Sequence, residues 1–145
     1  MGLTANYVIT TDGNSIFWGP APSGLPSVVA GADLTGQTAA VASVVAYTTS
    51  ADGTYRVAVY LTVTAVTLDV IQVKVTYTDE TNTSRTQAFF PTGVTSANVS
   101  TVGAFAFAPI NIRVKSGTTI TIATTLVTGS GTIAYDVGAT IEQLR

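Results

Sequence analysis

The stretch Thr54 to Val66, TYRVAVYLTVTAV, changes character at almost every residue, and few structures can accept that pattern. Tyr55, Val57, Val59, Leu61 and Val63 fall on one side, and Arg56, Ala58, Tyr60, Thr62 and Thr64 on the other. On a helix, where successive side chains are about 100° apart, the apolar set would scatter around the whole circumference. On a strand it makes one core-facing side and one outer side, so the stretch is read as a long strand.

The same period recurs along the chain. LDVIQVKVTYTD places Ile71, Val73, Val75 and Tyr77 inward and Gln72, Lys74, Thr76 and Thr78 outward, and TSRTQAFF pairs with it through a turn at DETN. VGAFAFAPINIRVK reads as a strand interrupted at Pro109, which has no N–H for a ladder and marks an edge, a bulge or a bend. SGTTITIATTLV and GTIAYDVGATIEQL follow, separated by glycine-containing turns at KSGT and TGSG. In the last, Ile133, Tyr135, Val137, Ala139 and Ile141 share one face.

These strands, some joined by tight turns and others by longer crossings such as PTGVTSANVSTVG, predict an all-β fold. The architecture expected is an antiparallel two-sheet β-sandwich, a jelly roll of about eight strands, over residues 37–145. A closed barrel or an immunoglobulin-like sandwich shows nearly the same period, and the period alone does not order the strands. Residues 1–36 read as an N-terminal arm. In it YVI and IFW flank TTDGNS, whose Asp12-Gly13 pair signals a short hairpin, and the Pro- and Gly-rich GPAPSGLPSVVAGADLTG continues extended or looped.

Composition then bears on what surrounds the fold. Hydrophobic residues make up 46% of the 145, charged residues only 10%, and mean hydropathy is +0.43. An ordinary soluble domain carries about 25% charged residues. Threonine, roughly one residue in five, supplies much of the missing polarity. No apolar run reaches the roughly 18 residues of a spanning helix, and Met1 to Asn6 has neither a secretory start nor a myristoylation pattern, so no membrane partner is expected. The expectation is a surface partly covered by other copies or by a partner.

The arm cannot bury Ile16, Phe17 and Trp18 within itself, so these residues, stiffened by Pro20, are candidate interface anchors. Two further stretches break simple alternation. AAVASVVAY, with Val41, Val45 and Tyr47 on one face and Ala40, Ala42, Val44 and Ala46 on the other, is apolar on both, and AFAFA sets alanines opposite Phe105 and Phe107. Either a loop of the same chain covers the second face, or small side chains admit a neighbouring subunit; Val44, Ala46, Phe105 and Phe107 are therefore candidate interface residues.

Chemistry is harder to find. The net charge is −2 and six basic residues are dispersed, which leaves no stripe for nucleic acid. Without cysteine or histidine there is no thiolate, no typical zinc or copper site and no usual base for a serine nucleophile; Lys74 and Lys115 face outward, which disfavours a Ser-Lys pair. Asp79-Glu80 is read as a solvated turn rather than an acid/base pair, and Asp12-Gly13-Asn14 as a hairpin turn rather than a calcium loop. TGSGT leads into no helix that could cradle phosphate, and the NTS and NVS triplets at Asn82 and Asn98 are chance in a Ser/Thr-rich chain. No enzyme activity, cofactor or metal is expected. Tyr60, with Tyr47, Phe89 and Phe90, forms an alternative candidate, a sugar-stacking platform, against packing between sheets or subunits.

YVITTDGNSIFWGP resembles segments of tail-fibre and other virion proteins of tailed bacteriophages. GTYRVAVYLTVT, INIRVKSGTTITIATTL and GTIAYDVGATIEQL are similar to small jelly-roll domains of the same virions. The resemblance covers most of the chain. It implies a virion structural protein: a head decoration (cement) protein, a homotrimer seated on the major capsid protein at the capsid surface and assembled in the bacterial cytoplasm, or else the terminal knob of a tail fibre binding a receptor or glycan. No repeats or heptads that would form a fibre shaft precede the domain, which favours the capsid.

Overall fold

The computed structural model describes residues 7–11, 16–20, 25–127 and 131–144, and every helix or strand assigned among them is a strand. β1 (Tyr7–Thr11) and β2 (Ile16–Pro20) pair antiparallel as a two-stranded sheet of their own, with Ile9 opposite Trp18. That is the expected hairpin; its turn, Asp12 to Ser15, lies outside the described residues. The other strands are β3 (Ser27–Gln37), β4 (Val45–Thr48), β5 (Gly53–Thr67), β6 (Ile71–Thr78), β7 (Ser84–Ala88), β8 (Gly103–Ala106), β9 (Ile110–Val114), β10 (Thr119–Leu126) and β11 (Thr132–Gln143).

They form two antiparallel sheets. One runs β3-β11-β5, with β8 and β9 sharing the far side of β5; the other runs β4-β10-β6-β7. The chain changes sheet at every connection except β6 to β7 and β8 to β9, and the two sheets face each other as a jelly-roll sandwich. β5 and β11 are the spine, paired from Thr67↔Thr132 to Tyr55↔Gln143.

The core is the one the period specifies. Tyr55, Val57, Val59, Leu61 and Val63 of β5 are buried, as are Ile71, Val73 and Val75 of β6 and Ile133, Tyr135, Val137, Ala139 and Ile141 of β11. At about 25 cal/mol per Å² of apolar surface, this interleaved set is the main drive to fold. Pro109 is a bulge. β8 and β9 are two halves of one edge, Tyr60 pairing with Ala106 and Val57 with Ile110, so three residues (107–109) stand opposite two (58–59).

Two segments differ from expectation. β3 belongs to the sandwich, pairing along β11, so the sheet begins at Ser27 and not at Gln37, and the 1–36 arm is too long by ten residues. Its alternation is intact only from Ala30 to Leu34, because register shifts against β11 on either side change its phase. Gly36, at φ +63, makes the second shift, its N–H donating to Asp136 Oδ1 at 2.7 Å. Conversely, 39–44 is not strand; only Val45–Thr48 is.

Side chains and isolated backbone bonds, among them Val44 N–H to the Ile122 carbonyl, take the place of a regular ladder in that stretch. Val41 N–H donates to Thr124 Oγ1 (2.8 Å), Thr124 N–H donates to the Val41 carbonyl (2.9 Å), and the Tyr135 hydroxyl donates to the Ala39 carbonyl (2.7 Å). With the tyrosine hydrogen committed to Ala39, Thr124 is the donor in its own 2.7 Å bond to the Tyr135 oxygen. Burial pushes the Tyr135 hydroxyl above its ordinary pKa, and the bond from Thr124 partly opposes that. An apolar run thus becomes a loop pinned to β10 and β11 through Ala39, Val41 and Val44.

Candidate functional site

The short loops at one end of the sandwich, 49–52, 79–83 and 115–118, are tied to one another and to themselves. Asp52 Oδ1 accepts from Ser116 N–H (2.6 Å), buried Thr49 donates to the Lys115 carbonyl (2.7 Å), and Lys115 Nζ donates to Asn82 Oδ1 (3.0 Å). Asp79 Oδ1 accepts from Thr81 N–H, Thr81 Oγ1 and Thr83 N–H, while Oδ2 takes Arg85 Nε at 2.7 Å. Those bonds, the Thr81 hydroxyl foremost, hold its carboxyl far below the usual carboxylate range. Glu80 pairs with Arg113 at 2.7 Å. Asp79-Glu80 is therefore a closed hairpin turn, as the sequence reading has it, with Asn82 at φ +65 completing it.

The opposite end is different. Its connections, 38–44, 68–70, 89–102 and 127–131, present Leu68, Val102 and Val127 to solvent, with Phe90 and Val94 on the long β7–β8 crossing. Leu68 is 79% exposed and sits at φ +61, a left-handed conformation that costs a branched side chain about 1–2 kcal/mol. The backbone beneath is firm: buried Asp69 accepts from Gly131 N–H, and Val127 N–H donates to the Val70 carbonyl at 2.8 Å. A Cβ on Gly131 would lie 1.6 Å from the Thr67 carbonyl oxygen, so only glycine fits. The neighbouring residues 128–130 lie outside the described residues.

The interface candidates separate. Val44 and Phe107 lie in the chain's own core, Phe107 edge-on to Phe89 at 6.1 Å, and are corrected to core residues. The apolar period there records a covered loop and the bulge before Pro109, the bland alternative. Ala46 is exposed on edge strand β4, and Phe105 is half-buried against the core. Ile16, Phe17, Trp18 and Pro20 are placed on β2 as backbone, and their side chains lie outside what is described.

The aromatic platform also separates. Phe89 is buried and Tyr47 is half-buried beside Tyr55, at 6.0 Å, which removes both from any sugar surface. Tyr60 stays exposed on the outer face of β5, opposite Gly138 of β11 and Ala106 of β8. Its hydroxyl donates to Asp33 Oδ1 on β3 (3.0 Å), and that bond raises its pKa above the ordinary value. The sequence reading missed Asp33 and Gly138. A glycine in the middle of a strictly alternating strand was the available signal, since such a glycine marks close approach.

No protein-family model and no curated protein sequence matches the chain. Among solved structures, the fold is similar to VP2 in the subviral particle of infectious bursal disease virus, at TM-score 0.50 and 14% identity over 95% of this chain. The chain spans 37% of that VP2 chain. The infectious bursal disease virus Gx strain structure superposes at TM-score 0.49 and 11% identity, covering 94% of this chain and 37% of its own. At these identities what the proteins share is the fold, and this chain is an all-β, two-sheet jelly-roll sandwich like the VP2 domain it overlays.

Proposed function

We propose that the protein is a virion structural component, a decoration (cement) protein that binds the head of a tailed bacteriophage as a trimer and stabilises it. The observation that carries this reading is the apolar end. Leu68, Val102 and Val127 are exposed together, Val127 and the Asp69 beside Leu68 are hydrogen-bonded to neighbouring loops, and Leu68 sits at a strained φ where glycine or asparagine would sit at lower energy. Exposed apolar side chains on a rigid base are what an assembly contact requires, and the low charge content of the chain agrees. The VP2 fold, found in a subviral particle, supports a place in a viral shell.

The β1–β2 hairpin supports the same reading. It forms its own sheet, and the strand that follows it, β3, begins at the polar end beside Gln143, away from the apolar loops. Each copy then offers two contact elements, the hairpin and the apolar loops, and many weak contacts over a lattice make a strong attachment. The acceptors are other copies and the major capsid protein, and no catalytic role is assigned.

Native mass measurement and binding to undecorated heads test this. A trimer that saturates such heads and raises their disruption temperature is the expected result. Removal of residues 1–24 is expected to lower occupancy while leaving the sandwich folded. A monomer that ignores the heads at micromolar concentration sinks the reading.

A further inference from the structure

We infer that the outer face of the β3-β11-β5-β8 sheet carries a carbohydrate-binding site, built on Tyr60 and Asp33, that takes a pyranose ring. The inference goes beyond the shell role and does not depend on it.

The argument starts from how the ring lies. An ideal Cβ on Gly138 would come within 2.0 Å of Tyr60 Cε1 and 2.4 Å of Cζ, so the ring rests flat across β11 in space that any other residue would fill. Its hydroxyl reaches Asp33 one strand further on, which fixes the ring against rotation. The residue is 48% exposed, so much of it stays open to solvent. An exposed strand residue held this way has lost its rotamer freedom before any ligand arrives.

The surroundings are low. Ala58, Ala104 and Ala106 on β5 and β8, with Gly31 and Gly138, are poor strand formers, and sheet stability would favour β-branched residues at these outward positions. Their effect is to leave Tyr60 standing clear, flanked by two hollows. One, of about 150 Å³, is lined by Asp33, Ala58, Gly138 and Thr140; the other, of about 280 Å³, by Thr62, Ala104, Phe105 and Ala106.

The polar groups suit a sugar. The apolar C–H face of a pyranose stacks on an aromatic face, and its equatorial hydroxyls need acceptors and two-way partners at the rim. Asp33 Oδ1 is taken by Tyr60, which leaves Oδ2 without a protein partner among the described residues as an acceptor for sugar hydroxyls. Thr62 and Thr140 line one hollow each, and a threonine hydroxyl can both donate and accept. An anionic ligand would be repelled by Asp33 and Asp136 on the same face, so the sugar is neutral.

Saturation-transfer NMR on the full chain with methyl glucoside, galactoside, mannoside and N-acetylglucosaminide is the test. Transfer to the ring C–H protons of at least one sugar is expected. Tyr60→Ala is expected to weaken it at least about tenfold, Asp33→Asn to weaken it less, and Tyr60→Phe to keep most of the stacking. Gly138→Ala, which props the ring off the sheet, is expected to behave like Tyr60→Ala, and amide spectra of each variant check that the sandwich is intact. Transfer to none of the sugars, or transfer that survives in a folded Tyr60→Ala protein, overturns the inference.

Discussion

The two ends of the sandwich solve the same problem by different means. Both must satisfy the backbone of the loops that join the strands. At the polar end side chains do it: Asp52, Thr49 and Lys115 bond the backbone or side chains of neighbouring loops and Asp79 bonds its own, while Leu25 and Val28 at the start of β3 stay exposed beside them. At the other end the polar groups are placed inward, in Asp69, Thr124 and Tyr135, and the loop tips are released to carry Leu68, Val102 and Val127. The loops of one end are closed by their own polar side chains; those of the other keep their hydrogen bonds inside and show hydrocarbon, which supports the contact proposed there.

The comparison breaks most visibly at a glycine. Gly131→Ala drives a Cβ into the Thr67 carbonyl, backbone against backbone, where no rotamer change gives relief. A loss of more than about 4 kcal/mol, or no folded protein, is expected in a denaturant melt. Gly138→Ala also meets atoms at 2.0 and 2.3 Å, but they belong to the Tyr60 and Asp33 side chains, which can give way together at the cost of their mutual bond, so a loss below about 1 kcal/mol is expected. Equal losses would show that the apolar end is no stiffer beneath its tips than the open sheet face.

Next come the two hidden hydroxyls. Tyr135→Phe removes the donor to the Ala39 carbonyl and the acceptor for Thr124, an expected loss of about 1–3 kcal/mol. Thr49→Val at the polar end removes one donor to the Lys115 carbonyl, which Thr118 Oγ1 still serves at 2.7 Å, so about 1 kcal/mol or less is expected. Chemical melts of the two variants place them in order. A reversal would mean that the polar end relies on single bonds more than its redundancy implies.

The fold was legible in the sequence wherever one face is buried without a break in phase. β5, β6, β10 and β11 show this, and so does the turn at Asp79, because local side-chain chemistry specifies it. It was not legible where the register slips. β3 changes phase twice within eleven residues and read only as extended or looped. Residues 39–44 carried strand composition, but their partners are hydroxyls eighty or more residues away, which no local period records. The apolar end escaped for a related reason: Leu68, Val102 and Val127 are single residues in separate loops, and only the antiparallel pairing brings those loops to one end.

A smaller effect carries a pH signature. Asp79→Asn keeps the shape of the turn but gives up the charge that four donors address. Because the folded-state pKa of Asp79 is depressed, its contribution is fully present above the unfolded value near 3.8 and is lost as pH falls through the folded value. The wild-type protein should therefore melt above the variant at pH 7, and the gap should close as pH falls below about 4. The Arg85 and Thr83 partners are exposed, so the gap is modest; a gap independent of pH would assign the effect to the shape of the turn and not to its charge.

The smallest effect on stability has the opposite sign. Leu68→Asn exchanges a branched residue at φ +61 for one that accepts the left-handed region, and it removes a side chain that is 79% exposed and so contributes little burial. The isolated domain should gain up to about 1 kcal/mol. Self-association and binding to heads should both weaken, because the hydrocarbon they use is gone. If the variant is less stable, Leu68 packs within its own molecule; if it is more stable and assembles unchanged, the apolar end is not the contact.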